Sequence, residues 1–131
     1  MKKVVESKNA PKAIGPYSPG ILVEGVKKIL FLAGQIPLDP QSGEMVEGGI
    51  KEQTRRVLLN IEGLLKEAGL TLKDVVKTTV FLTDLGNFTS FNEIYREFFD
   101  SEYPARTTIE VKGLPRRSLI EIEVIALETS E

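Results

Sequence analysis

Tyr103-Pro104-Ala105-Arg106-Thr107-Thr108-Ile109-Glu110-Val111 and Ser118-Leu119-Ile120-Glu121-Ile122-Glu123-Val124-Ile125-Ala126-Leu127 are the two stretches that decide the fold. Both read as strands. Side chains alternate across a strand, so Arg106, Thr108 and Glu110 share one face while Thr107, Ile109 and Val111 share the other. Glu121 and Glu123 point one way, and Ile120, Ile122 and Val124 the other. If the two strands pair, charges of both signs gather on one face. Two readings follow. One is a receptor for a small acidic substrate, with a carboxylate left for proton work. The other is a solvated or subunit-facing surface carrying ordinary ion pairs.

The remaining segments supply the partners that these strands need. Residues 2–6 suit a first strand, and Pro11, Gly15, Pro16, Pro19 and Gly20 make a rigid loop of residues 7–20. Ile21 to Val23 and Ile29 to Gln35 read as strands joined by a turn at Glu24-Gly25-Val26-Lys27. From about Ile50 the period changes. Val57, Leu58, Ile61, Leu64, Leu65 and Ala68 form one helical stripe, and Gly69 suits the cap that ends it. Val75 to Leu82 is a β-branched strand, and Phe91, Ile94, Tyr95 and Phe98 mark a second amphipathic helix beginning near residues 87–89. The order is βββαβαββ, an α+β domain with both helices on one face of a mixed sheet. The other face is left uncovered and open to oligomerisation. Hydrophobic parity assigns Ile109, Val111, Ile120 and Ile122 to the helix side, and Arg106, Glu110, Glu121 and Glu123 to the open face.

Composition narrows the chemistry. The chain of 131 residues fits one domain, 1–131, with 41% hydrophobic and 27% charged residues and a net charge of −2. That balance supplies no electrostatic drive toward nucleic acid or membrane. Cysteine and histidine are both absent, which removes thiolate catalysis, disulfides and the usual neutral-pH base. No segment has the apolar length of a membrane span, and Met1-Lys2-Lys3-Val4-Val5-Glu6 lacks the apolar run of a signal peptide. A cytoplasmic location is the expectation.

Candidate site residues follow from chemistry. Arg106 can hold a carboxylate through two parallel hydrogen bonds, or pair structurally with Glu110, Glu121 or Glu123. Glu121 can accept a proton or orient a water, or serve in that same ion pair. Tyr17 is one aromatic hydroxyl inside a Gly- and Pro-restrained loop, Ala13-Ile14-Gly15-Pro16-Tyr17-Ser18-Pro19-Gly20, and reads as a site wall or as loop packing. Gly34 ends a strand where backbone can approach a ligand closely. Asn92 reaches outward to a neighbour or faces water. Pro115-Arg116-Arg117 reads as an exposed turn.

Taken together, six segments resemble one family over nearly the whole chain. They are Ala10-Pro11-Lys12-Ala13-Ile14-Gly15-Pro16-Tyr17-Ser18-Pro19-Gly20, Ala33-Gly34-Gln35-Ile36-Pro37, Thr78-Thr79-Val80-Phe81-Leu82-Thr83-Asp84, Asn92…Tyr95…Phe98-Phe99, Tyr103-Pro104-Ala105-Arg106 and Ile120-Glu121-Ile122-Glu123. The family is the reactive intermediate deaminase (RidA, or YjgF) family. The resemblance implies a chorismate-mutase-like fold and a homotrimer with sites in clefts between subunits. It implies hydrolysis of 2-imino acids, such as 2-iminobutanoate and 2-iminopropanoate, to 2-keto acids and ammonia, with no cofactor or metal. Arg106 would bind the substrate carboxylate and Glu121 would hold the attacking water. Tyr17 and Asn92 would line the cleft, and the backbone at Gly34 and Thr108 would contact substrate. Ala33 stands where many members have serine, and Thr108 where many have cysteine. The alternatives are a non-catalytic 2-keto acid binding or interaction protein, and a ribonuclease or translation inhibitor. The deaminase reading requires the guanidinium and the glutamate to converge in a shielded crevice.

Overall fold

The β-branched run Val75–Leu82 forms strand β4, and from Val76 onward its residues alternate between buried and half-buried. Val76, Thr78, Val80 and Leu82 enter the core, while Lys77, Thr79 and Phe81 face away. In this computed structural model, which describes residues 1–130, every other element is placed relative to that strand. The order is β1 (Lys2–Val5), β2 (Gly20–Val23), β3 (Val26–Gln35), α1 (Ile50–Glu67), β4, α2 (Phe88–Phe98), β5 (Ala105–Glu110) and β6 (Ile120–Thr129). This is the expected βββαβαββ sequence of elements, an α+β fold with two helices packed on a mixed sheet.

The sheet runs β3-β6-β4-β5; β4 and β5 are parallel and the other pairs antiparallel. One expectation changes here. The strands do not all join one sheet, because β1 and β2 form a separate antiparallel ribbon with Lys2 opposite Val23 and Val5 opposite Gly20. The link between β2 and β3 is shorter than expected. Only Glu24 and Gly25 separate the two strands, with Gly25 at φ 71°. Past this link β3 leaves β2 and pairs with β6 instead.

Helix α1 buries Val57, Leu58, Ile61 and Leu65 completely, whereas Leu64 sits at the edge of the stripe and stays exposed. The Glu52 carboxylate accepts from the Gly49 N–H (2.8 Å) and caps the first turn. At the other end Gly69 takes φ 75°, the left-handed conformation that ends a helix, and Lys28 Nζ donates to the Ala68 carbonyl (2.8 Å). Helix α2 buries Phe91, Ile94 and Tyr95 beside α1. The exposed pairs Lys51–Glu93 (2.8 Å) and Arg55–Glu97 (2.6 Å) span the two helices at the surface. No helix among the described residues is long and apolar enough to cross a membrane.

Register settles which face each charged group occupies. Opposite Thr78 lie Arg106 on β5 and Val124 on β6; opposite Val80 lie Thr108 and Ile122; opposite Leu82 lie Glu110 and Ile120. Directly paired residues share a face. Ile120, Ile122, Glu121 and Glu123 therefore lie where parity assigned them. Arg106 and Glu110 do not: they are on the helix side, and Ile109 is on the open side opposite Phe81. The inversion arises because β5 is an edge strand beside α2, where the helix side offers aromatic rings to a guanidinium. The open face is itself apolar, with Phe31 68%, Ile29 49% and Ile109 42% exposed, so Ile109 has company there.

Ile122 is fully buried between the sheet and both helices. Truncation to alanine leaves a cavity that the packed core cannot fill. Ile122→Ala is expected to lower the unfolding free energy by about 2–5 kcal/mol, read from urea denaturation followed by circular dichroism.

Candidate functional site

Arg106 enters from β5 two residues after Pro104, on the side of the sheet covered by α2. The helix presents three rings to it. Its Cζ lies 4.9 Å from the ring centroid of Tyr95, 5.1 Å from Phe91 and 5.5 Å from Phe88. The spacing of 88, 91 and 95 along α2 puts all three on one helical face. A fourth ring comes from the N-terminal loop. Ser18 anchors that loop to the entry of β5, its N–H donating to the Pro104 carbonyl (3.0 Å) and its hydroxyl to the Tyr103 carbonyl. Tyr17 is thereby placed with its ring 5.3 Å from Arg106 Cζ. Gly15 completes the approach: a Cβ there would stand 3.6 Å from Arg106 Nη2.

Four aromatic faces favour a cation, each contact contributing about 0.5–2 kcal/mol depending on desolvation. None supplies a hydrogen-bond acceptor in the guanidinium plane. Arg106 has no ion-pair partner among the described residues, and its buried Nη1 has no hydrogen bond. Burial pushes its proton affinity down, the Tyr95 and Tyr17 hydroxyls oppose that, and the positive charge of Arg96 adds to it. Two more buried polar atoms lack partners nearby in the chain, Thr108 Oγ1 on the same face of β5 and Asn92 Oδ1 on α2. Asn92 is only 6% exposed, so it does not face water. Buried polar atoms are normally satisfied. These three atoms are exceptions to that rule among the described residues.

Tyr95 ties this wall to the sheet. Its hydroxyl and Thr78 Oγ1 lie 2.8 Å apart in a fully buried hydrogen bond. Its ring also packs on Phe91 (5.3 Å between centroids) and Phe99 (4.6 Å). Burial pushes the Tyr95 hydroxyl up to about 12, against an ordinary value of 10.0, with the Thr78 bond and the Arg106 charge opposing the shift.

Glu121 and Gly34 lie elsewhere. Glu121 pairs with Phe81 and so projects from the open face, away from Arg106. A Cβ at Gly34 would stand 2.0 Å from Glu121 Oε2, so the carboxylate rests over β3 in space that only glycine leaves free. Gln53 of α1 accepts from the Leu119 N–H (2.8 Å), fixing the chain two residues before Glu121. Within one chain the expected convergence of Arg106 with Glu121 does not occur: the sheet lies between them. Tyr17 packs on Arg106 and Thr108 shares its face of β5, Asn92 is buried on α2, and Gly34 lies with Glu121.

Sequence reading missed Phe88, Phe91, Tyr95 and Thr78 as site residues. Phe91 and Tyr95 were legible only as part of an apolar stripe, and nothing in the spacing marks them as a cation wall. Two cavities lie away from the site. A cavity of about 650 Å³ lies among Lys2, Thr71, Lys73, Phe98, Asp100 and Pro104. A smaller one of about 220 Å³ lies on the open face among Phe31, Lys77, Thr79, Glu123 and Ile125. Neither includes Arg106.

The folded protein holds the Tyr95 proton more tightly than the unfolded chain does. That contribution to stability is whole below pH 10.0 and is lost as pH rises through about 12. Denaturant titrations across this range should show wild-type stability falling more steeply than that of Tyr95→Phe. A second expectation concerns Gly34→Ala. The added methyl displaces the Glu121 carboxylate, a shift visible in a crystal structure of a variant that remains folded.

Comparison with known proteins agrees with this architecture. The family described as Endoribonuclease L-PSP matches residues 7–128. A RutC family protein of Pyrococcus horikoshii is 52% identical over 126 residues, covering 96% of this chain and 98% of the relative. The human 2-iminobutanoate/2-iminopropanoate deaminase is 43% identical over 128 residues, covering 98% and 91%. The crystal structure of a Yersinia pestis protein of the conserved Rid family, of unknown function, superposes with a TM-score of 0.74 at 49% identity, covering 98% and 100%. The chain belongs to the Endoribonuclease L-PSP family, the RidA/YjgF family that its motifs resemble.

Proposed function

We propose that this family member hydrolyses 2-imino acids such as 2-iminobutanoate and 2-iminopropanoate to 2-keto acids and ammonia. The observation that carries the reading is the half-buried Arg106 guanidinium among four rings, with its buried Nη1 unpartnered and no carboxylate ion-paired to it among the described residues. A small 2-imino acid brings the missing anion. The human, bovine and mouse relatives that bear the deaminase name, at 40–43% identity, support the choice of substrate.

Arg106 receives the substrate carboxylate, and Asn92 and Thr108 offer polar atoms beside it. Tyr17 closes the approach from the loop side. Glu121 orients a water over the backbone of Gly34. The water oxygen bonds to the imine carbon while Glu121 takes its proton, and the C=N electron pair moves to nitrogen. Glu121 returns that proton to the carbinolamine nitrogen, and the C–N bond breaks with its electron pair going to the departing ammonia. The hydroxyl gives its proton to Glu121 as the carbon–oxygen double bond forms. An imine carbon is already electrophilic, so positioning accounts for most of what is asked of the protein.

Arg106 and Glu121 face opposite sides of the sheet, so one substrate meets both only if a neighbouring copy supplies one of them. The open face is the surface where a copy would dock, as a homotrimer with sites between subunits requires. Its exposed Phe31 and Ile29 need cover, and Glu121 and Glu123 have no ion pair among the described residues.

The test is a coupled assay in which an amino-acid oxidase generates the imine and semicarbazide competes for it. Arg106→Ala is expected to abolish imine hydrolysis with the fold intact, and Glu121→Ala to lower it by about 10² to 10⁴. Co-refolding the two inactive variants should restore part of the activity, because mixed assemblies contain some sites with both residues. Full activity in folded Arg106→Ala, or no recovery in the mixture, would remove this mechanism. Ribonuclease activity that survives both substitutions would point to the other activity named in this family. No feature here favours it: Arg116 leans toward Glu44 (3.9 Å), and the net charge is −2.

A further inference from the structure

Arg106 carries an unpartnered buried N–H, and the nearest ring to its Cζ belongs to a tyrosine whose hydroxyl is also buried. A buried hydroxyl and a buried free donor in one wall are natural partners. They are not partnered here. The Tyr95 hydroxyl is bonded to Thr78 Oγ1 instead, at 2.8 Å. Thr78 is the direct cross-strand neighbour of Arg106 on β4, on the same face of the sheet. We propose that Thr78 is a positioning residue that engages the Tyr95 hydroxyl and so keeps the Arg106 guanidinium free for the substrate carboxylate.

Three observations support the assignment. Thr78 is fully buried, so no water competes for the bond. The Tyr95 ring packs at a tilt on Phe91 and Phe99 with Arg106 Cζ over it, while its hydroxyl is turned to Thr78. The hydroxyl stays protonated at any physiological pH, and so needs an engaged partner at all of them. Without Thr78 Oγ1 the hydroxyl is orphaned, and the free Nη1–H of Arg106 is the donor on offer. Tyr95 would then become an internal ligand of the arginine in competition with substrate. Thr78 touches neither substrate nor reacting atoms, and acts through Tyr95.

This inference rests on the carboxylate-receptor reading of Arg106, and its test needs no turnover. Binding of 2-oxobutanoate is measured by calorimetry on the assembled protein, alongside thermal unfolding, for wild type, Thr78→Val, Tyr95→Phe, the double variant and Thr78→Ser. Thr78→Val orphans the hydroxyl and should weaken binding about tenfold or more, the change that one charge-assisted hydrogen bond accounts for. Tyr95→Phe keeps the ring and removes the competitor, so its affinity is the reference that the double variant should match. Adding Tyr95→Phe to Thr78→Val should restore binding, and Thr78→Ser should leave it unchanged. In the imine assay Thr78→Val should raise KM with kcat nearly constant.

A purely structural Thr78 would alter unfolding temperature in these variants without moving affinity. Wild-type affinity in Thr78→Val, or a double variant as weak as Thr78→Val, overturns the proposal. If Thr78→Val does not fold, Thr78→Ser and the double variant decide: weakened binding in either overturns it. A wild-type protein that does not bind 2-oxobutanoate, or binds it equally well as Arg106→Ala, overturns the receptor reading as well. That failure appears in the controls, and is thereby distinct from a failure confined to position 78.

Discussion

The register of β4 against its two neighbours is the constraint on which the site depends. Thr78, Val80 and Leu82 each have one partner on β5 and one on β6, and every partner shares their side of the sheet. A slip of one residue between β4 and β5 would carry Arg106 to the open face and leave α2 with three rings and no cation. The slip is opposed from both directions. Val80 and Leu82 are fully buried on the helix side, and Ser18 holds the entry of β5 through the Tyr103 and Pro104 carbonyls. The N-terminal loop thus fixes the strand that carries the arginine while also delivering Tyr17 to it.

Placing a guanidinium among rings without a carboxylate is costly, and that cost explains why the surroundings are so constrained. Desolvation disfavours the charged form. Ring faces recover part of it through their quadrupoles, and the delocalised guanidinium tolerates stacking better than an ammonium would. A resident carboxylate would recover more, and none among the described residues pairs with Arg106. With Nη1, Asn92 Oδ1 and Thr108 Oγ1 unsatisfied, folding alone does not gain their hydrogen-bonding energy. The rest of the domain bears this easily, because Val57, Leu58, Ile61, Leu65, Val80 and Ile122 form a fully buried core between the helices and the sheet.

What was legible in the sequence follows from how strongly each pattern is tied to burial. The alternating strand Val75–Leu82 and most of the α1 stripe, Val57, Leu58, Ile61 and Leu65, face the core, and their periodicity placed them correctly. On β6, Ile120 and Ile122 face the helices and Glu121 the open side, as parity predicts, because a central strand has a definite inside. On β5 the same rule inverted Arg106 and Ile109. An edge strand beside aromatic rings has no single apolar side, and a cation can be the inward group. Motif resemblance named Arg106, Glu121, Tyr17, Gly34, Asn92 and Thr108, yet residue order carries no information on which face of the sheet each reaches. Phe91 and Tyr95 were visible only as packing residues, since a stripe at helical spacing looks the same whether it covers a core or a guanidinium. The Thr78–Tyr95 bond joins residues seventeen positions apart, and no local pattern encodes such a contact.

The two halves of the candidate site are each well built and cannot meet within one chain. On one side of the sheet lies a cation enclosed by rings, and on the other a carboxylate over a glycine that has no room for a Cβ. A fixed glycine–glutamate contact on a surface meant for water has no purpose in a monomer, since solvated glutamates need no backbone cleared beneath them. The exposed Phe31, Ile29 and Ile109 on that same face are equally out of place in water. Both features acquire a reason if a second copy covers the face. The apolar side chains are then buried, and Glu121 is brought from solvent to the edge of a neighbour's arginine pocket. Assembly would in that case be part of the chemistry, because burying the open face and completing the site are one event.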